Sequence, residues 1–234
     1  MEEALSEQLA YYRARAPEYD DWFFRRGRYD RGEQATKQWF TEVALLETAL
    51  ERAAPFGQSV ELAAGTGLWT RRLLPHATSL HVVDGSPEML GLCRDRLASE
   101  FPALGLPTFE QADLFRWRSG RPYDFIFFSF WLSHVPAERF EAFWENVRQS
   151  LQPGGRVFFI DSLPNPSSTA HNHQLPAREV PTLVRTLEDG RSFRIYKIFH
   201  EPERLQSRLA SLGFVCEIEE TGEYFYHAIV EANS

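Results

Sequence analysis

Val60-Glu61-Leu62-Ala63-Ala64-Gly65-Thr66-Gly67-Leu68-Trp69-Thr70 is the stretch that decides how this chain folds. Its apolar start predicts a buried strand, its two glycines a tight turn, and its end the first turn of a helix. Without side chains at Gly65 and Gly67 the backbone can bend sharply, and a ligand can reach its N–H groups at a helix N-terminus. A turn of this kind, at the carboxyl end of a strand, is where open α/β sheets bind nucleotides.

The residues downstream sharpen that expectation. Ser79 to Val83 predicts a second strand ending at Asp84. An acid roughly 20 residues past a glycine turn suits the two hydroxyls of a ribose. Dinucleotide-binding proteins use the same device, but their pattern wants a third glycine where this chain has Thr70. A third strand, Pro107 to Gln111, leads into Ala112-Asp113-Leu114. There a carboxylate is placed to accept from the exocyclic amine of an adenine, with Leu114 packing on the ring. Two acids on successive strand ends after one glycine turn fit a single adenosine better than a dinucleotide.

With these segments in view the chain resembles the class I S-adenosylmethionine (SAM)-dependent methyltransferases of the small-molecule type. Glu61-Leu62-Ala63-Ala64-Gly65-Thr66-Gly67 is similar to that family's glycine motif. Val82 to Leu90 resembles its ribose motif, and Gln111 to Leu114 its adenine motif. Leu151 to Val157, with Pro153-Gly154-Gly155, resembles the turn before its fifth strand. The likeness is good over residues 57–160 and loose elsewhere.

The resemblance implies a fold, a cofactor and a set of contacts. The fold is α/β: a Rossmann-like, seven-stranded, mostly parallel sheet in the order 3-2-1-4-5-7-6, with helices on both faces and an N-terminal helical lid. A single domain over 1–234 would comprise a lid (1–54), a SAM-binding core (55–160), a substrate-side insertion (161–200) and a C-terminal helix and hairpin (201–234). The cofactor would be SAM and the product S-adenosylhomocysteine (SAH). Ala63, Gly65 and Gly67 would pass close to the methionine part, with Glu61 orienting the turn or binding through water. Asp84 and Gly85 would serve the ribose, and Ala112 and Asp113 the adenine, between Met89 and Leu114. Ser129 or Phe130 would offer a carbonyl to the SAM amino group. Tyr12 or Tyr19 would reach the methionine part from the lid.

Composition bounds the partners. The chain has 234 residues, 43% of them hydrophobic and 25% charged, with a formal net charge of −8. That balance argues against a nucleic-acid substrate, which needs a basic face. Arg25, Arg26, Arg28 and Arg31 cluster, but Asp20, Asp21, Asp30 and Glu33 stand among them. Two cysteines, Cys93 and Cys216, imply core thiols and no disulfide framework. Met1-Glu2-Glu3 is not a signal-peptide start, and no apolar run nears the roughly 18 residues needed to span a bilayer. A cytoplasmic location is expected, and oligomeric state is not legible.

Along the chain, residues 2–16 predict a helix with Leu5, Leu9 and Tyr12 on one face. Phe23 to Arg31 predicts a loop, and 34–54 a long helix closed by Pro55 and Gly57. Strands at 58–63, 79–83 and 107–111 alternate with helices at 67–74 and 87–99, which predicts a parallel sheet. Tyr123 to Phe130 is almost continuously apolar, as a central strand covered on both faces should be. A helix at 137–151 and a strand at 155–160 follow. Residues 161–195 are rich in turn formers, and Arg191 to Phe199 alternates partly. Helix 202–211 and strands 214–220 and 224–231 close the chain.

Methyl transfer needs positioning above all, and a base only when the acceptor must lose a proton. His134, just past the fourth strand, is the first candidate for that base; capping the next helix is its bland alternative. His171 and His173 are candidate acceptor contacts; no ligand set accompanies them, so no metal is expected. Trp131 and Tyr196 are candidate walls of an acceptor pocket. The favoured function is methyl transfer to a hydroxyl, or an amine, of a small molecule. A methyltransferase acting on tRNA or protein, a non-catalytic SAM-binding regulatory or assembly module, and an NAD-dependent oxidoreductase are the alternatives.

Overall fold

In the computed structural model, which describes residues 2–175 and 181–233, the described residues form nine strands. They are β1 (Gly57–Leu62), β2 (Ala77–Asp84), β3 (Thr108–Gln111), β4 (Tyr123–Ser129), β5 (Leu151–Ser162), β6 (Thr182–Thr186), β7 (Ser192–Tyr196), β8 (Phe214–Glu220) and β9 (Phe225–Ala232). Seven of them make one sheet in the order β3-β2-β1-β4-β5-β9-β8. β1 to β5 pair in parallel and β9 runs antiparallel to both β5 and β8. This is the expected order 3-2-1-4-5-7-6, renumbered because β6 and β7 form a separate two-stranded sheet.

The apolar run of β4 takes the centre, between β1 and β5. Ile126 and Phe128 join the core on one face of the sheet, Phe125 and Phe127 the core on the other, and all four are almost fully buried. A strand with both faces covered has no use for alternation, so the sequence shows none. The helices are α1 (Glu2–Arg15), α2 (Tyr19–Phe23), α3 (Glu33–Arg52), α4 (Thr70–Leu73), α5 (Pro87–Glu100), α6 (Phe140–Ser150) and α7 (Pro202–Ser211). No helix among the described residues is long and apolar enough to cross a membrane.

Four local expectations need correction. The segment Phe23–Arg31 is not all loop: α2 ends at Phe23, and Gly27–Tyr29 makes one 3-10 turn. The helix expected over 67–74 shrinks to α4, followed by a 3-10 turn at Leu74–His76 that contains Pro75. Pro153-Gly154-Gly155 is not a turn before β5 but a bulge inside it. The pairing jumps from Tyr123↔Leu151 to Phe125↔Arg156, and a Cβ on Gly155 would lie 2.9 Å from the carbonyls of Gln152 and Tyr123.

The fourth correction is β6, which pairs with β7 inside the stretch expected to be irregular. Its pattern is inverted: Val184 is 63% exposed, while its neighbour Arg185 is only 8% exposed. A strand that turns its apolar side chain outward and its arginine inward carries no ordinary amphipathic signal.

Against this hairpin lies α1. Its buried face is Ala4, Gln8 and Tyr11, one position round from the expected Leu5, Leu9 and Tyr12. Gln8 stitches the lid down: its Nε2 donates to the His134 carbonyl at 3.3 Å, and its Oε1 accepts from Tyr196 N at 2.9 Å. The expected face is not idle, because Leu5, Leu9 and Tyr12 line the cavity beneath.

Candidate active site

The carboxyl edge of β1, β2 and β4 opens into a cavity of about 420 Å³. Its floor is the glycine turn and its roof is α1, α2 and the segment after β7. Ala63 and Phe130, at the ends of β1 and β4, both line it and both adopt left-handed backbone conformations, with φ of 56° and 54°. Non-glycine residues avoid that region at a cost of about 1 kcal/mol or more, and such strain gathers where a site requires it.

Asp84 shapes the turn. Its Oδ2 accepts from Gly65 N at 2.9 Å and its Oδ1 from Ser86 N at 2.8 Å. Burial pushes its carboxyl up, while the N–H groups of Ser86, Gly65 and Gly85 pull the other way. Asp113, half-exposed, caps its own loop by accepting from Phe115 N at 3.0 Å. Both acids line the same cavity, with Gly85, buried Met89 and buried Leu114 between them.

The lid is fastened to this turn. The Asp20 carboxylate accepts from the Thr66 hydroxyl at 2.6 Å and from Arg96, whose Nε donates to the Thr66 carbonyl at 2.9 Å. The Tyr19 ring lies 3.7 Å from where a Cβ on Gly65 would sit, an ordinary contact. Trp22 donates to the Ser168 carbonyl at 2.8 Å, joining α2 to the loop after β5.

The two glycines of the turn do different work. Gly65 lines the cavity, but Gly67 does not. A Cβ on Gly67 would stand 2.7 Å from Cys93 Sγ and 3.1 Å from its Cα, at φ +84°. Gly67 is small so that the turn can meet α5. Gly67→Ala is therefore expected to destabilise the fold by about 2 kcal/mol or more, read as a drop in Tm. A Tm unchanged from the wild type would refute that packing role.

His134 is buried and lines the cavity. Its Nδ1 donates to the Tyr196 carbonyl at 2.5 Å, which leaves Nε2 to accept from the Tyr12 hydroxyl at 2.7 Å. Burial, with Lys197 next in weight, holds its pKa well below the usual histidine value. The imidazole is therefore neutral, its one accepting nitrogen is taken by the Tyr12 phenol, and both side chains line the cavity.

Of the other candidates, Tyr19, Ser129, Trp131 and His173 line the cavity, while Glu61, Ala112, His171 and Tyr196 do not. His171 is turned away: its Nδ1 meets Arg31 and its Nε2 donates to the Asp30 carbonyl. Tyr196 contributes its backbone rather than its ring. Glu61 lies under the turn, 1% exposed, with neither carboxylate oxygen hydrogen-bonded. Sequence reasoning missed Arg15, Trp22, Tyr29, Arg185 and Lys197, all of which line the cavity. Arg15 and Trp22 flank the tyrosines of the lid segment and were within reach of a closer look. Arg185, on an inverted strand, gave no signal. No cluster of three or more potential metal ligands occurs among the described residues.

Residues 60–155 match the family model described as a methyltransferase domain. A solved structure titled as the DhpI–SAH complex is 39% identical, with 98% of this chain and 97% of that one covered at a TM-score of 0.75. The chain belongs to the class I SAM-dependent methyltransferases. A second structure of the same neighbour, titled as a DhpI–SAM–HEP complex, is 38% identical over 97% of each chain, with a TM-score of 0.76. An uncharacterized methyltransferase of Bacillus cytotoxicus is 23% identical over 147 residues, 62% of this chain and 66% of that protein's length.

SAM is the cofactor of this methyltransferase, and when bound it supplies an electrophilic methyl group on a sulfonium. The site fits such a group. The glycine turn offers backbone free of side-chain bulk at Gly65, acids cap two successive strands beside it, and a buried carboxyl with no hydrogen bond lies beneath.

Proposed function

We propose that this methyltransferase transfers the methyl group of SAM to a hydroxyl, or an amine, of a small molecule held in the roofed cavity. The enclosure itself carries the proposal. The lid presses onto the cofactor edge so closely that a Cβ on Gly85 would lie 3.0 Å from a Leu9 methyl. A macromolecular acceptor needs that edge open, and the net charge of −8 disfavours RNA. In this reading residues 1–54 are the lid, 55–160 hold the cofactor, 161–200 supply the acceptor side and 201–234 complete the sheet. Two free, buried thiols, Cys93 and Cys216, support a reducing, cytoplasmic setting.

In the same reading Asp84 takes the ribose, Asp113 the adenine amine, Met89 and Leu114 the faces of the ring, and the Ala63–Gly65 and Ser129–Phe130 edges the methionine part. Tyr12 presents its oxygen to the acceptor and His134 is a positioning residue behind it. A proton leaving an acceptor hydroxyl passes to the Tyr12 oxygen as the Tyr12 proton passes to His134 Nε2. The low proton affinity of His134 favours acceptors that ionise readily.

Incubation with labelled SAM and a panel of small hydroxyl and amine acceptors tests the function. Calorimetry with SAH tests the site, and absence of SAH binding would end the proposal. Tight SAH binding with no transfer to any acceptor would favour the non-catalytic reading instead. Tyr12→Phe is expected to lower kcat/KM about tenfold, the worth of one hydrogen bond in a buried site. A rate equal to the wild type would remove Tyr12 from the reaction.

A further inference from the structure

The cavity holds more positive charge than its walls neutralise. Among the described residues that line it, Arg116 pairs with Asp113 and Arg139 with Glu2, and Lys197 lies 3.7 Å from Asp161. Arg15 and Arg185 have no carboxylate partner among the described residues. The Arg15 guanidinium faces the rings of Tyr19 at 4.8 Å, Tyr11 at 5.6 Å and Tyr29 at 6.0 Å, and its buried Nε makes no hydrogen bond. Arg185 is 8% exposed, and among the described residues its guanidinium donates from Nη1 to the Gln174 carbonyl at 3.2 Å.

Burying a guanidinium without a counter-charge is costly. Here Arg185 is buried and Arg15 partly buried, close enough for Arg15 to bear on the ionisation of Arg185, which burial pushes down. The chain also inverts a strand to point Arg185 inward, leaving Val184 in water. This in a protein of net charge −8 means that the positive end is local and built. The fully buried Tyr29 stands at the same place. Its oxygen accepts from Arg15 at 3.4 Å and from Arg28 at 3.5 Å, which leaves its own proton free to donate.

We propose that Arg15, Arg185 and Tyr29 form an oxyanion site in the cavity, so that the methyl acceptor carries a phosphate-, sulfate- or carboxylate-like group. This rests on the reading of the cavity as the acceptor site. A guanidinium presents the planar fork with which arginine binds oxyanions best, and this cavity offers two that have no carboxylate partner among the described residues. An uncharged acceptor of the same shape would leave both guanidinium groups without a counter-charge, Arg185 buried and Arg15 partly so, and the site therefore discriminates against it.

Calorimetry on the protein saturated with SAH, in a low-chloride buffer, tests the proposal with inorganic phosphate, sulfate and acetate as probes. Saturable binding of at least one is expected. Preference for phosphate and sulfate over acetate would assign a tetrahedral group, and the reverse a carboxylate. Arg185→Gln is expected to weaken that binding at least tenfold, and Arg185→Lys less. No saturable binding of any probe to the wild-type protein would overturn the proposal, and so would R185K or R185Q that binds the anion as tightly as the wild type. SAH binding is measured in the same experiment, so a protein that binds SAH but no anion fails here without touching the methyltransferase reading.

Discussion

Asp84→Ala is expected to weaken SAM binding on the order of 100-fold or more. The carboxylate has two duties. It holds the glycine turn in shape through Gly65 N and Ser86 N, and its remaining lone pairs face the cavity where the ribose is proposed to lie. A hydrogen bond to a charged group is worth about 1.5–3 kcal/mol, and here the turn loses its brace as well. Asp84→Asn keeps the shape but sets an amide N–H₂ against one of those N–H donors, so it should be nearly as damaging. Asp113→Ala provides the contrast. That carboxylate is half-exposed and paired with Arg116, so its loss should cost far less. SAM titrations of the three variants decide the matter. A D84A protein binding within threefold of the wild type would show that Asp84 only shapes the turn.

Glu61→Gln is expected to stabilise the protein at neutral and alkaline pH. Burial pushes the Glu61 carboxyl from 4.5 up to about 8. A carboxyl that holds its proton more tightly when folded favours the fold in acid. That advantage is complete below pH 4.5, is lost as pH rises, and is gone above about 8. At pH 7 the penalty reaches about 3 kcal/mol, which corresponds to roughly 5–10 °C in Tm for a chain of this size. Glutamine is neutral throughout and escapes it. Tm measured against pH for both proteins should therefore diverge upward from pH 5 to pH 8, and parallel curves would sink the account. A gain in stability joined to a loss in SAM affinity would show that Glu61 is kept for the cofactor, since an unpaired buried carboxylate suits a nearby cation.

How much was legible follows from where each signal lives. The central place of β4 was readable because Phe125 to Phe128 reads as a strand buried on both sides, whereas the full strand order came from the resemblance carried by the glycine turn and the acids after it. The cofactor edge was readable because Gly65, Asp84 and Asp113 each sit at a strand end, where their position in sequence fixes their position in space. The role of Gly67 was not readable. A glycine that clears a ligand and one that clears Cys93 look alike until α5 is in place. His134 was found, but not what it does, because Tyr12 comes from a lid more than a hundred residues earlier.

By itself, then, the sequence determined the sheet and the family and placed Gly65, Asp84 and Asp113 on one edge, because those depend on local backbone demands: a turn without Cβ atoms, an acid at a strand end, an apolar run of strand length. Only the tertiary structure decided what else lines the cavity, the part proposed to take the acceptor. There Arg15, Tyr29, His134, Arg185 and Lys197 reach one cavity from five separate segments. All but His134 look like ordinary polar residues along the chain. Their chemistry arises from shared burial and from missing counter-charges, and both exist only once the lid and the hairpin have closed over the sheet.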